Sequence, residues 1–452
     1  MSTAVAERSV GARPAPALRS YRFELVKLGA QWRIRLLLVA CLLAPALFVV
    51  VVSRQTSLPS DTVFGRWMGQ TGWAGPLVVL SFCGSWVLPL VTSLVAGDVF
   101  AAEDRIGTWR HLLIAVRSPR RVFAAKALAA LTVLLLLVAA LAASGIVGGV
   151  AAGGARPLVG LDGHLLGPGS AAGAVLLAWA SVLGSTLAFA GVGLLGSVAF
   201  GRSPMGLLLP ALLALLLDLV QVLPLPVAVR TALPSYGFLA WRGLFSEQPQ
   251  TAPLVVGVVV GLAWAATATA GAYVLFVRRD FTDPAYDGAG PRLVLRAVLP
   301  LGTLLAVTAG ALAVVLPSST GSGIDRSKLQ TSLGTAYAHL YRLQSRELHR
   351  PDVTEQQLQA SAACDKGGSR VEDVGAGNDW RCVVSWHIPG ARAVGSAVYQ
   401  LDATADGRYV ADGDGPQEVN GFFQVRTPTG DAPNPLWQFD GSVDLLTATS
   451  KG

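Results

Sequence analysis

Seven apolar runs dominate this chain, at residues 34–53, 73–97, 126–151, 169–199, 205–223, 253–277 and 293–316. A helix needs about 20 largely apolar residues to cross a hydrocarbon core of about 30 Å, and each run reaches or nearly reaches that length. Charged residues make up 14% of the 452, where a soluble chain carries about 25%, and the mean hydropathy is +0.52. The runs therefore predict a polytopic all-α membrane domain rather than a cytosolic enzyme. Four cysteines in so long a chain exclude a disulfide-dense secreted scaffold.

The formal charge of +7 divides unevenly. Up to Leu316 the balance is +11, and from Pro317 onward it is −4. Membrane proteins hold Lys and Arg in their cytoplasmic loops. With the N-terminus inside, eighteen cations fall on the cytoplasmic side, among them Arg33, Arg105, Arg110, Lys126, Arg202 and Arg279. The outer loops hold five: Arg54, Arg66, Arg156, Arg230 and Arg242. This bias predicts a multi-pass protein of the cell membrane with a cytoplasmic N-terminus, and seven spans send the C-terminal portion outside. No cleavable signal peptide is expected, because the first 32 residues are polar and basic. Tyr21 to Trp32 reads either as an interfacial helix on the inner leaflet or as an ordinary basic flank.

The divisions expected are a cytoplasmic segment 1–32, a six-span unit 33–292, a seventh span 293–316, a flexible linker 317–324, and a small extracytoplasmic α+β domain 325–452. In the last, Ser327–Glu347 has helical spacing, and a second short helix is expected at Thr354–Ala363. Strands are expected at Trp380–His387, Gly395–Thr404, Arg408–Ala411 and Gly421–Arg426, with a tight turn at Asp406-Gly407. Cys364 and Cys382 lie in this domain. In an oxidising compartment they can cross-link, and the alternative is two buried thiols. Cys41 and Cys83, in apolar spans, read as small hydrophobes.

No catalytic constellation is legible. The five His residues are scattered, there is no Cys/His metal spacing and no G-x-S-x-G elbow, and a Walker A loop is excluded because Gly-Lys does not occur. Neither a cofactor, a metal nor a nucleic-acid partner is expected. Any ATP that powers transport must be hydrolysed by another chain.

One segment is specific enough to name a family. Gly97–Lys126 reads GDVFAAEDRIGTWRHLLIAVRSPRRVFAAK, with Glu103-x-x-x-Gly107-Thr108, Leu112 and Leu113, Ser118-Pro119-Arg120 and a closing Lys126. This pattern resembles the type-two ABC transporter permeases, the membrane subunits of bacterial ABC exporters. The resemblance implies a six-span permease core, here with a seventh span, and a helix and turn at this position that contacts an ATPase subunit. It implies a second permease subunit as well, and it makes Glu103, Gly107, Thr108, Trp109, Leu112 and Leu113 the candidate coupling residues. Trp109-Arg110 stand where the family often has Leu-Glu. From the residues alone, Thr108 can cap a helix whose stripe is Trp109, Leu112, Leu113 and Val116. Either a partner or the inner leaflet can cover that stripe.

Weaker features remain. The loop Pro224–Ala252 resembles the short re-entrant helices of that family, and Tyr236, Phe238, Trp241 and Phe245 suit either the membrane interface or an exit path. Asp218, near the outer end of its run, is expected to snorkel or to hydrogen-bond rather than relay protons. Gly145/Gly149/Gly153 and Gly257/Gly261 have the spacing for close helix packing. The function expected is an export permease coupled to a separate ATPase. The alternatives are a non-transporting anchor that displays the C-terminal domain and a secondary transporter, for which Asp218 alone among intramembrane charges qualifies.

Overall fold

The computed structural model describes residues 16–55, 65, 67, 68, 71–201, 204–281, 291–316, 321–367, 372–388, 390, 392–428 and 430–447. The first half of the expected linker, the junction at 202 and 203, Arg66 and both chain ends lie outside the described residues.

Among the described residues, seven helices are long and apolar enough to cross a membrane. A short helix, α1 (Ala17–Ala30), leads into the first of them, α2 (Trp32–Ser53). The second is α3 (Ala74–Phe82) joined to α4 (Leu88–Val95) by a π-helical turn at Cys83–Val87. Two short helices follow, α5 (Ala101–Ile106) and α6 (Trp109–Val116). The remaining long helices are α7 (Pro119–Gly153), α8 (Pro168–Phe200), α9 (Met205–Val222), α11 (Thr251–Val277) and α12 (Pro291–Val315), with the one-turn α10 (Val227–Thr231) before α11.

The bundle closes where side chains are smallest. α8 packs along α11, α2 along α7, and α1 also lies on α7. Gly261 meets Gly184 so closely that a Cβ on Gly261 would stand 2.5 Å from the Gly184 carbonyl carbon. Gly149 likewise faces the backbone of Gly72. The glycine spacing thus marks real helix crossings. By contrast, none of the apolar window of α12 is buried within the chain. A face of that kind suits lipid.

The C-terminal domain starts at α13 (Arg326–Glu347), which Asp325 caps by accepting from the Lys328 amide at 3.0 Å. The one-turn α14 (Glu355–Leu358) follows with a Thr354–Gln357 capping box. Beyond the small antiparallel pair β1 (Leu158–Val159) and β2 (Leu165–Leu166) between α7 and α8, a five-stranded antiparallel sheet runs in the order β3-β4-β5-β6-β9: β3 (Ser361–Lys366), β4 (Gly377–His387), β5 (Val394–Ala403), β6 (Arg408–Gly413) and β9 (Gln438–Ser442). Alternate residues Trp380, Cys382 and Val384, then Ala397, Tyr399 and Leu401, face the core beneath α13. β7 (Gln424–Thr427) and β8 (Gly430–Pro433) form a separate hairpin.

Two expectations need correction here. The second helix stops at Leu358, because Gln359 adopts a left-handed conformation (φ 45°), and Ser361–Lys366 is a strand. The strand expected at Gly421–Arg426 begins only at Gln424 and lies outside the main sheet, which β9 completes instead. Cys364 and Cys382 are directly opposed partners of β3 and β4, with Cα atoms 4.0 Å apart, and a disulfide joins them.

The two ends of the bundle differ. α1, α5 and α6 gather at one end, and the C-terminal domain sits at the other. There Val227 is packed into the domain's core, and Arg230 donates to the carbonyls of Ala405 and of Ser322, the latter at 3.1 Å.

Candidate functional site

The segment singled out by sequence folds as α5, a break at Gly107, and α6. Gly107 has φ +76°, a conformation glycine adopts without steric cost, and it turns the chain sharply between the two helices. Arg117 closes α6 in the left-handed region. Ser118 then caps α7 by accepting from the Arg121 amide, with Pro119 at the first helical position. The Ser-Pro-Arg tripeptide is thus a stop and restart that sets α6 at an angle to the third long helix.

Thr108 does not cap α6. Its backbone is helical, and its hydroxyl donates to Glu103 instead. Glu103 is the centre of a buried ion cluster. Lys126, 1% exposed on α7, places its Nζ 2.8 Å from Glu103 Oε1 and 3.0 Å from Glu24 Oε2 on α1, and Lys27 of α1 also donates to Glu103. Two carboxylates and two ammonium groups balance. Burial alone pushes the Glu103 carboxyl up, but the charge and hydrogen bond of Lys126, with those from Lys27 and Thr108, outweigh it and hold the group at about 2.

A second pair lies beside it. Asp104 accepts from the Trp109 indole at 2.7 Å and from Arg279 Nη1, just beyond the end of α11, at 2.9 Å. Asp98, after α4, pairs with Arg33 of α2 and with Arg105 of α5. The short α5–α6 unit is therefore bolted by charge to α1, α2, α7 and the end of α11.

Trp109 corrects the expected partner-facing stripe. It is 6% exposed and packs inward among Phe100, Phe276 and Phe281, at centroid distances of 6.2, 5.3 and 5.6 Å. Arg279 stands 5.9 Å from the same ring, within cation–π range. Leu112, Leu113 and Val116 are half-buried against the same core. The residues α5 and α6 present outward are Ile106 (71% exposed), Arg110, His111 and Ile114 (66% exposed). Periodicity identified the helix but not which side the chain itself would cover.

The expected exit-loop residues are also buried. Tyr236 and Phe238 lie in one 3-10 turn, Trp241 and Phe245 in the next. Phe238 stacks on Phe189 at 5.8 Å, and the Trp241 indole donates to the Phe238 carbonyl at 2.9 Å. These rings are the packing core of the loop, not rings laid in the membrane interface. Asp218 is half-buried on α9, while Gln221, a turn away, donates to the Arg230 carbonyl and to Ser235.

Residues 21–169 match the model of the ABC-2 family transporter proteins. The match takes in α1 to α7 and the whole buried ion cluster except Arg279. No curated protein matches the chain. ABC-2 type permeases are non-catalytic membrane components that generally work with an ATPase subunit. The seven apolar helices agree with a transporter permease of that family, and the C-terminal domain lies outside the matched residues.

Proposed function

We propose that this chain is the permease subunit of an ABC exporter. It forms the translocation path with a second permease subunit and takes its energy from a separate ATPase that docks on the α5–α6 unit. One observation carries this reading. The outward face of Ile106, Arg110, His111 and Ile114 stands directly over buried ion pairs that reach α1, α2, α7 and the end of α11. A load placed on α6 is therefore passed to helices that span the bundle. Glu103, Gly107, Thr108 and Trp109 act from beneath, by holding the unit in place, and Leu112 and Leu113 form its shoulder.

In this reading the N-terminus is cytoplasmic and the C-terminal domain extracytoplasmic, supported by the eighteen-to-five distribution of cations. Protease added to intact cells should remove an epitope placed at Gly452 and spare one at Ser2. Protection of the C-terminal epitope would overturn the orientation. ATP hydrolysis by the copurified ATPase, measured in proteoliposomes with and without the permease, tests the coupling.

The tight seat of the C-terminal domain on the bundle favours a second reading, a non-transporting anchor that displays this domain. An ATPase that copurifies and is stimulated excludes it.

A further inference from the structure

At the junction of the C-terminal domain and the bundle, three ligand-type side chains converge from distant parts of the chain. They are Glu247, in the loop before α11, His339 on α13 and Glu355 at the start of α14. His339 Nε2 stands 3.5 Å from Glu247 Oε2 and 3.5 Å from Glu355 Oε2. All three ligand atoms lie within 4.8 Å of one another.

His339 is 5% exposed, and its Nε2 has no hydrogen-bond partner. The other ring nitrogen, Nδ1, lies 2.8 Å from the Asp162 backbone carbonyl. A carbonyl oxygen can only accept, so Nδ1 carries a proton and Nε2 is the ring nitrogen turned toward the two carboxylates. Metal-bound histidines almost always donate their other ring N–H to a carbonyl or carboxylate, as His339 Nδ1 does to Asp162.

The separations match a metal better than hydrogen bonds. Bonds of about 2.0–2.1 Å in a tetrahedral zinc site put neighbouring ligands about 3.3–3.4 Å apart, close to the two distances of 3.5 Å. N–H···O bonds centre at about 2.9–3.0 Å. The Glu355 carboxylate and the Glu247 backbone are also held in place. Arg342 donates to Glu355 Oε1 at 2.7 Å, which leaves Oε2 toward His339. Asp162 Oδ2 accepts from the Glu247 amide at 2.7 Å, so one residue positions two of the three ligands.

We propose that Glu247, His339 and Glu355 bind a divalent transition-metal cation of the Zn2+ type, with three protein ligands and a fourth position for water. The cation ties α13 and α14 of the C-terminal domain to the loop of the membrane bundle. The inference is independent of the transport reading.

The test uses the full-length chain, purified in detergent without a polyhistidine tag and titrated with Zn2+ against a chromogenic chelator. The wild type should take up one equivalent, and Glu247→Gln and His339→Gln should each weaken binding by about tenfold or more, the lower bound seen even for residues behind the ligands. Glu247 is half in solvent, so its substitution tests the site even where His339→Gln folds poorly. A second arm uses Co2+ as the spectroscopic probe. Glu247→Cys should add a thiolate-to-cobalt charge-transfer band that the wild type lacks. Absence of a Zn2+ equivalent in the wild type, equal affinity in Glu247→Gln, or no new band in Glu247→Cys would overturn the site and leave an ion triad around a protonated His339.

Discussion

Arg242 and Asp406 stand 164 residues apart in the chain and 2.6 Å apart in space, guanidinium Nη1 to carboxylate Oδ2. Arg242 lies in the loop before α11, and Asp406 forms the tight turn between β5 and β6. Burial would raise the Asp406 carboxyl, but Arg242 and Arg408 beside it hold it well below the usual carboxylate range. With the Arg230 contacts to Ala405 and Ser322, this ion pair seats the C-terminal domain on the bundle.

Arg242→Leu should loosen that seat without unfolding either part. Truncating one partner of a fully buried charge pair costs about 2–5 kcal/mol. Here both side chains are partly exposed and Arg408 keeps some of the compensation, so the loss falls at or below the low end of that range. Limited proteolysis should then cut the 317–324 segment faster than in the wild type, while the melting temperature of the bundle stays put. An unchanged cleavage rate would mean the seat is carried elsewhere.

Lys126→Met should be far more damaging. It leaves Glu103 and Glu24 buried and without their shared ammonium group, a loss of about 3–5 kcal/mol when one partner of a buried pair is removed. Thermal melting of the detergent-solubilised protein checks this. Lys126→Met with Glu103→Gln should recover part of the loss, because one uncompensated charge goes with the other.

Glu103 also sets an acid limit. A carboxyl whose folded value is depressed to about 2 contributes stability that is fully present above its unfolded value, about 4.3, and fades as pH falls from there toward 2. Melting temperature followed from pH 7 to pH 3 should fall below about pH 4.3 in the wild type. It should fall less steeply in Glu103→Gln, which binds no proton in that range. Equal slopes would remove Glu103 from the acid response.

Cys364 and Cys382 close a loop of 18 residues, worth about 3 kcal/mol by chain entropy. Non-reducing peptide mass spectrometry of protein from the native membrane should find them linked. Two alkylatable thiols there would contradict an oxidising compartment for this domain.

Much of this architecture is legible in the sequence because hydropathy encodes it directly. Each of the seven apolar runs coincides with a long helix to within about two residues, except that α7 starts at Pro119, seven residues before its run, and Gly107 and Ser118-Pro119 mark the ends of α5 and α6 through backbone chemistry. What escaped was the identity of each helix's neighbour. Trp109 sits at the right spacing for a partner-facing stripe, yet Phe276, 167 residues on, covers it. Ser361–Lys366 continues a helical-looking stretch, and only its pairing with β4 makes it a strand. Glu247, His339 and Glu355 have no motif spacing, since a loop of the bundle and two helices of the C-terminal domain supply them.

The central claim is that the outward face of α5–α6 docks an ATPase. Ile106→Asp and Ile114→Asp place a carboxylate on that face without touching the buried ion pairs or the inward stack of Trp109. Both side chains are solvent-exposed, so neither substitution should alter expression or melting. The measurement is recovery of the ATPase in a pull-down of the detergent-solubilised permease, normalised to permease amount. The account predicts that the double variant loses most of the ATPase while the wild type retains it, because an unpaired charge at the centre of an interface costs several kcal/mol. Undiminished recovery with Ile106→Asp and Ile114→Asp combined would contradict it and leave this face without a partner.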